Sequence, residues 1–415
     1  YDSYGNALTS TSETFDNTSW TSPYYFKSEQ ENTGFISNGS WIPWLPGGSE
    51  ITDTRDGEDP ISEETSFTYN SDGNLTTKIA RANTPSAVTK AYSYNSWGIV
   101  YKTTTSFDSE CGLGPRANEI TDFDPTHRFS KTVENQAGWE TDLSGFNILG
   151  LPQYSYDENN LTTEYGYDVF GRKTNTVYPN GHDNTTTYNW VISGDHLYSV
   201  STSGSHSLSQ TTYYDGQGRD VKTESINPEG DVVSTVKSYT DFGKLASSSL
   251  PYYESSGTPI LTTYTYDEYL RKTGKNSNIS DISISYTVRT TVTTDNNNSE
   301  TVTTILDPTG QVESKTDFGG TIYYTYNSFN KPVTISYEGK IVTMDYDDFG
   351  RQTELVDPAF GTVSYAYDCL DRLIYQGSPS SDTEIKYDQL DRVVSKSMSD
   401  FEITYGYDAQ LLGYP

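Results

Sequence analysis

The sequence predicts an all-β chain of tandem β-hairpin repeats, each about 20 residues long, joined into one continuous antiparallel sheet. Three observations predict it. A Tyr-Asp-x-x-Gly-Arg hexamer recurs in register along the chain. A second turn signal falls about half a repeat after each hexamer. The apolar content is 33%, yet there are 36 Tyr and 15 Phe, which suits pleated sheets with one wet face better than a thick core.

The hexamer is clearest near the C-terminus. Tyr346-Asp347-Asp348-Phe349-Gly350-Arg351 is followed by Tyr367-Asp368-Cys369-Leu370-Asp371-Arg372 and Tyr387-Asp388-Gln389-Leu390-Asp391-Arg392, then Tyr407-Asp408. The leading tyrosines are 21, 20 and 20 residues apart. Upstream the same register passes through Tyr326-Asn327, Leu306-Asp307-Pro308-Thr309-Gly310-Gln311, Tyr286 and Tyr266-Asp267 with Leu270-Arg271. Less evenly spaced copies are Tyr239-Thr240-Asp241-Phe242-Gly243-Lys244, Tyr214-Asp215-Gly216-Gln217-Gly218-Arg219 and Tyr167-Asp168-Val169-Phe170-Gly171-Arg172. Weaker ones begin at Phe123-Asp124, Tyr94-Asn95 and Tyr69-Asn70.

The hexamer is a turn by chemistry. Asp or Asn can accept a backbone N–H two residues on, and Gly supplies the positive φ that reverses the chain. Arg or Lys opens the return strand. Half-repeat turns follow at Tyr178-Pro179-Asn180-Gly181, Asn227-Pro228-Glu229-Gly230 and Asp357-Pro358. Two turns per repeat leave two strands of about six residues, a common strand length. Paired tyrosines such as Tyr165/Tyr167, Tyr264/Tyr266 and Tyr365/Tyr367 share one sheet face and predict an aromatic ladder across hairpins. Division of the chain follows from regularity. Residues 1–60, with Trp20, Trp41, Trp44 and Gly47-Gly48, read as an irregular loop-rich plug or edge cap. Residues 61–263 read as degenerate repeats with an insertion near 182–210, and 264–415 as regular repeats.

Charge and cysteine content narrow the function. With 27 Lys+Arg against 57 Asp+Glu the net charge is −30, which disfavours nucleic acid and anionic membrane surfaces as partners. No apolar run is long enough for a membrane-spanning helix. Cys111 and Cys369 are too few for a disulfide framework or a zinc site, and pairing and separate thiols both stay open. The start at Tyr1, already inside a motif, reads as an interior piece of something longer.

In-register Tyr-Asp-x-x-Gly-Arg copies over roughly residues 60–415 resemble the YD repeats of the Rhs family, which includes bacterial polymorphic toxins, the B and C components of insecticidal toxin complexes and teneurins. The resemblance implies a spiralling sheet that is part of a hollow shell. It also implies a secreted or cell-surface, bacterial protein that encapsulates a C-terminal toxin or cargo region of its own polypeptide, or works with a secretion or assembly partner. Family shells self-cleave at an Asp-Pro-x-Gly-Leu core. Asp307-Pro308-Thr309-Gly310 matches its first four residues but sits in repeat register and reads as a turn, so no self-cleaving end is expected in this chain. A surface adhesin or scaffold, binding a protein or glycan through 1–60 or 182–210, is the alternative.

Catalytic, metal and cofactor sites are not expected. His127 occupies a turn slot, and His182, His196 and His206 show no metal-ligand spacing. No Gly-x-Ser-x-Gly elbow accompanies His206. The loops at Asp157 and Asp295 lack the twelve-residue calcium pattern and read as turns. The residues singled out are therefore structural ones of the turns: Tyr167, Asp168, Gly171, Arg172, Tyr214, Asp215, Gly218, Arg219, Tyr346, Asp347, Gly350, Arg351, Tyr367, Asp368, Arg372, Tyr387, Asp388 and Arg392.

Overall fold

The computed structural model describes residues 7–15, 24–35, 45–193, 196–255 and 257–407. Among them 35 strands form one open sheet, and a single short 3-10 turn, Ser109–Cys111, is the helical element. Strands are mostly five to eight residues, as two turns per repeat require. Period-two burial is plainest in Leu261–Tyr266 and Asp382–Tyr387, where exposed and half-buried residues alternate. The core is thin: among the described residues the buried apolar side chains are Ala82, Val221, Met344 and Val363.

The chain divides into two compact units. One comprises Tyr1–Thr121, Glu134–Trp139 and Thr304–Pro415; the other comprises Asp122–Val133 and Glu140–Thr303. In the first, consecutive strands pair antiparallel from Thr9–Phe15 through Arg116–Phe123, and again from Val312–Asp317 to Glu402–Thr404. In the second, the same pairing runs from Glu140–Ser144 to Thr290–Asp295 with one irregularity. Strand Val232–Tyr239 pairs with Leu245–Ser249 along its end and with Tyr252–Tyr253 along its start.

Two stretches differ from the sequence reading. Where residues 1–60 are described they are mostly strands, Thr9–Phe15, Tyr24–Thr33 and Gly48–Arg55, paired in register. Alternating Ser, Thr and Glu give these strands a polar, two-sided surface that reads as loop from composition. Trp20, Trp41 and Trp44 lie outside the described residues. The stretch 182–210, read as an insertion, is built into the sheet as strands. Asp183–Ser193 and His196–Gly204 are two long paired strands, and Tyr188 takes the motif slot 21 residues after Tyr167. The run of Thr and Ser between aromatic residues hid a β pattern, because hydroxyl side chains satisfy a strand without looking apolar.

Candidate functional site: a seam along the repeat turns

Each hexamer builds the same turn. Asp168 donates its N–H to the Arg172 carbonyl, and Gly171 donates to the Asp168 carbonyl. Oδ1 of Asp168 accepts from the N–H groups of Phe170 and Arg172, both at 2.9 Å, while Oδ2 accepts from Arg172 Nε at 2.7 Å. One carboxylate thus caps the turn with one oxygen and holds the return-strand arginine with the other. Asp215–Arg219, Asp267–Arg271, Asp347–Arg351, Asp368–Arg372 and Asp388–Arg392 repeat it. A register shift beside the motif tyrosine, between Gly166 and Tyr167 for example, marks the bulge that accompanies such a turn. Gly171, Gly218 and Gly350 hold φ of +80°, +78° and +72°.

The motif tyrosine couples one repeat to the one before. Tyr346, Tyr387 and Tyr407 donate their hydroxyls to the carbonyls of Pro332, Leu373 and Val393, each five residues after the preceding turn's Asn or Asp. Tyr167 does the same to Pro152. The preceding arginine lies over the ring: Arg219 over Tyr239 at 4.5 Å, Arg351 over Tyr367 at 5.2 Å and Arg372 over Tyr387 at 4.5 Å. The expected ladder of tyrosines is therefore a ladder of alternating guanidinium groups and rings, each contact contributing about 0.5–1 kcal/mol at exposed positions. Tyr214 instead stacks on Tyr198, with centroids 4.7 Å apart.

These contacts set the pH limits. Burial pushes the Asp168, Asp215, Asp267 and Asp388 carboxyls up, but hydrogen bonds from the turn N–H groups and arginine outweigh it and hold them below the ordinary carboxylate value. Their stabilisation is present above the unfolded value of about 4 and is lost as pH falls through the folded ones. Tyr239 moves the other way. Burial, then its hydrogen bond to Asp220, pushes the phenol up to about 12. That contribution is present below about pH 10, the unfolded value, and is lost as pH rises toward 12. Urea midpoints measured against pH are expected to be flat between about 4 and 10 and to fall on both sides, with Tyr239→Phe shrinking the alkaline loss.

Where glycine is replaced in the turn slot, the backbone still turns left-handed. Leu270, Asn330, Asp371 and Asp391 have φ of +60°, +56°, +62° and +66°. His127 also sits in such a slot, at φ +55°. A leucine there pays strain without a polar return, so Leu270→Gly is expected to raise stability by about 0.5–1 kcal/mol, read from the urea midpoint.

Asn330, Asp371 and Asp391 do gain something. In the first unit the chain returns to itself, and half-repeat turns of its N-terminal run meet hexamer turns of its C-terminal run. Arg55 donates Nη1 to Asn330 Oδ1 at 2.7 Å, pairs through Nη2 with Asp307, and donates its backbone N–H to Ser328 Oγ at 3.1 Å. Arg55 and Asp307 are 4% and 3% exposed, and Ser328 donates onward to the Asp59 carbonyl. Arg81 grips both oxygens of Asp371 at 2.8 and 2.7 Å and lies 4.2 Å over the Phe349 ring. Arg116 pairs with Asp391 at 2.6 Å. The same two aspartates take Arg351 and Arg372 from the neighbouring turns, at 2.9 and 2.6 Å. Gln136 donates to the Gln389 carbonyl, and Arg392 lies between Tyr407 and Trp139.

Between these contacts Cys111 and Cys369 form a disulfide, Cα atoms 5.8 Å apart and 258 residues apart in sequence. Spacing alone could not decide the pairing; the seam does, because it brings the 108–115 loop onto the Asp368 turn. Closing so long a loop restricts the unfolded chain by about 5 kcal/mol in the chain-entropy account.

Of the eighteen residues singled out from the sequence, the thirteen Asp, Gly and Arg lie in these turns and the five tyrosines end the strands that lead into them. Sequence reasoning missed Arg55, Arg81, Arg116 and the pairing role of Asp371 and Asp391. A signal existed: an aspartate in a slot that glycine fills most cheaply. Asp307 is a buried turn, with Oδ1 accepting from Thr309 and Gln311 N–H at 2.9 Å. Asp157 and Asp295 likewise bond backbone N–H groups of their own turns. His182 and His206 stack 3.6 Å apart, and His196 packs on Tyr213. In the second unit the hexamer-turn edge is apolar and uncovered: Val169, Phe170, Phe242 and Tyr269 are 70–87% exposed, whereas Phe329, Phe349, Leu370 and Leu390 in the seam are half-buried.

The fold is similar to that of part of solved Tc toxin chains. The chain superposes on a TcdB2-TccC3-TEV structure with a TM-score of 0.55 and 16% identity, over 90% of this chain and 24% of that one. A TcdB2-TccC3-Cdc42 structure gives 0.54 and 16%, over 86% and 23%. The Photorhabdus luminescens Tc holotoxin pore, carrying a TccC3 variant, gives 0.51 and 15%, over 86% and 23%. The chain spans about a quarter of the length of these structures. At such identity the likeness is one of fold. No family model and no curated protein sequence matches the chain.

Proposed function

We propose that this chain is a structural segment of an Rhs-type shell, which encloses a toxin or cargo region of its own polypeptide. The observation that carries the reading is the seam. A repeat sheet that comes back after some 250–290 residues and locks turn to turn is built to make a wall, not to present one surface. The fold shared with TcdB2-TccC3 chains supports a role in a toxin complex. A disulfide across the seam supports an oxidising location outside the cell. No catalytic step belongs to this reading, since the motif carboxylates are engaged in capping turns and holding arginines.

Native purification of the full-length protein followed by denaturing electrophoresis and peptide mass spectrometry tests it. A separate segment that stays bound and protease-resistant until denaturation is the expected result. A single species with every segment equally open to protease would overturn enclosure. The adhesin or scaffold reading then leads, and the uncovered apolar turns of the second unit, with exposed Trp190 nearby, favour that reading's binding surface.

A further inference from the structure

The cysteine pair is the one covalent link in the seam, and its surroundings differ from the rest of it. Cys111 ends the short 3-10 turn of the 108–115 loop, and Cys369 directly follows the capping Asp368. On either side stand Arg81–Asp371 and Arg116–Asp391, whose aspartate side chains are 48% and 52% exposed. With one partner that exposed, these pairs are open to screening by salt, although their arginines are only 13% and 10% exposed. The strongly held contact, Arg55–Asp307, lies at the other end of the run of contacts. Cys111 and Cys369 are both only half-buried, and the loop beside Cys111 is open, since a Cβ placed on Gly112 or Gly114 would meet nothing within 4 Å.

We propose that Cys111–Cys369 is a site of thiol–disulfide exchange that locks the middle of the seam in oxidising surroundings and releases it in thiol-rich ones. The co-reactant is a small or protein thiol. A thiolate attacks one cysteine sulfur, breaking the S–S bond and forming a mixed disulfide while the other cysteine leaves as a thiolate and takes a proton. A second thiol resolves the mixed disulfide, so two electrons pass to the pair and the reductant departs as its own disulfide. Once reduced, the middle of the seam is held by half-exposed ion pairs and ring contacts, while Arg55 keeps one end closed. The step itself needs no cargo. Its consequence, a wall tight outside cells and loosened on entry to a reducing compartment, rests on the shell reading.

Hydrogen exchange with mass spectrometry on the full chain tests this, with and without tris(2-carboxyethyl)phosphine as the probe reductant and with alkylation counting free thiols. On reduction, amides of 81–87, 108–116 and 368–372 are expected to exchange at least tenfold faster, while 210–226 in the second unit stays unchanged. Cys111→Ser/Cys369→Ser is expected to show the fast pattern without reductant. Cysteines that stay unalkylated under reductant would overturn the accessible site. Free thiols with unchanged exchange would overturn the lock, and equal acceleration in 210–226 would make the bond a global staple instead. Should the serine variant fail to fold, reduction of the folded wild-type chain still decides. None of these readings depends on enclosed cargo, so failure here leaves the shell reading to its own test.

Discussion

Arg55→Met is expected to lower stability by about 3–5 kcal/mol, the largest effect of any single side-chain change in the seam. Removing the guanidinium leaves the Asp307 carboxylate buried, its Oδ2 without the cation, and leaves Asn330 Oδ1 without its donor, while the backbone N–H to Ser328 is kept. The cost is mostly that of the stranded charge, and this can be separated. Arg55→Met with Asp307→Asn removes both charges and keeps an amide oxygen to cap Thr309 and Gln311. The double variant is therefore expected to recover most of the loss. Urea midpoints of the four proteins in the cycle measure it. A single variant within about 0.5 kcal/mol of wild type would mean that water reaches Asp307 and that the seam is open at this end.

Gly150→Ala is expected to cost about 3 kcal/mol, far more than the same change at Gly230. Both glycines have positive φ, +79° and +91°, and both pay about 1 kcal/mol or more for a Cβ there. At Gly230 a new Cβ meets nothing within 4 Å, so strain is the whole cost. At Gly150 it would overlap the Phe129 ring, which stacks on Phe146 at 5.6 Å. The ring must leave that stack or the turn must shift, an overpacking cost of about 1–3 kcal/mol on top of strain. Equal losses at the two sites, by urea or thermal midpoint, would show that Phe129 yields freely.

The local part of this structure was legible because its information is local. Tyr-Asp-x-x-Gly-Arg states the turn, its cap and its return arginine within six residues, and the 20-residue offset places neighbouring hairpins. The strands of 182–210 were obscured by a run of threonine and serine, which satisfies a pleat without an apolar signature. The seam was hidden for a different reason. Arg55 with Asp307, Arg81 with Asp371 and Cys111 with Cys369 are 252, 290 and 258 residues apart, and no periodicity within a repeat encodes how far a ribbon travels before meeting itself. What the sequence does carry is the local penalty. Asp371 and Asp391 stand where glycine is cheapest, and the arginines from across the seam are what offset the strain.

Peptide mapping of the unreduced protein, alkylated before denaturation and digested without reductant, tests the interlocked ribbon most directly. A single linked pair of peptides, one holding Cys111 and the other Cys369 of the same chain, is the predicted result. Both cysteines recovered as alkylated free thiols, or linked between separate chains, would contradict it.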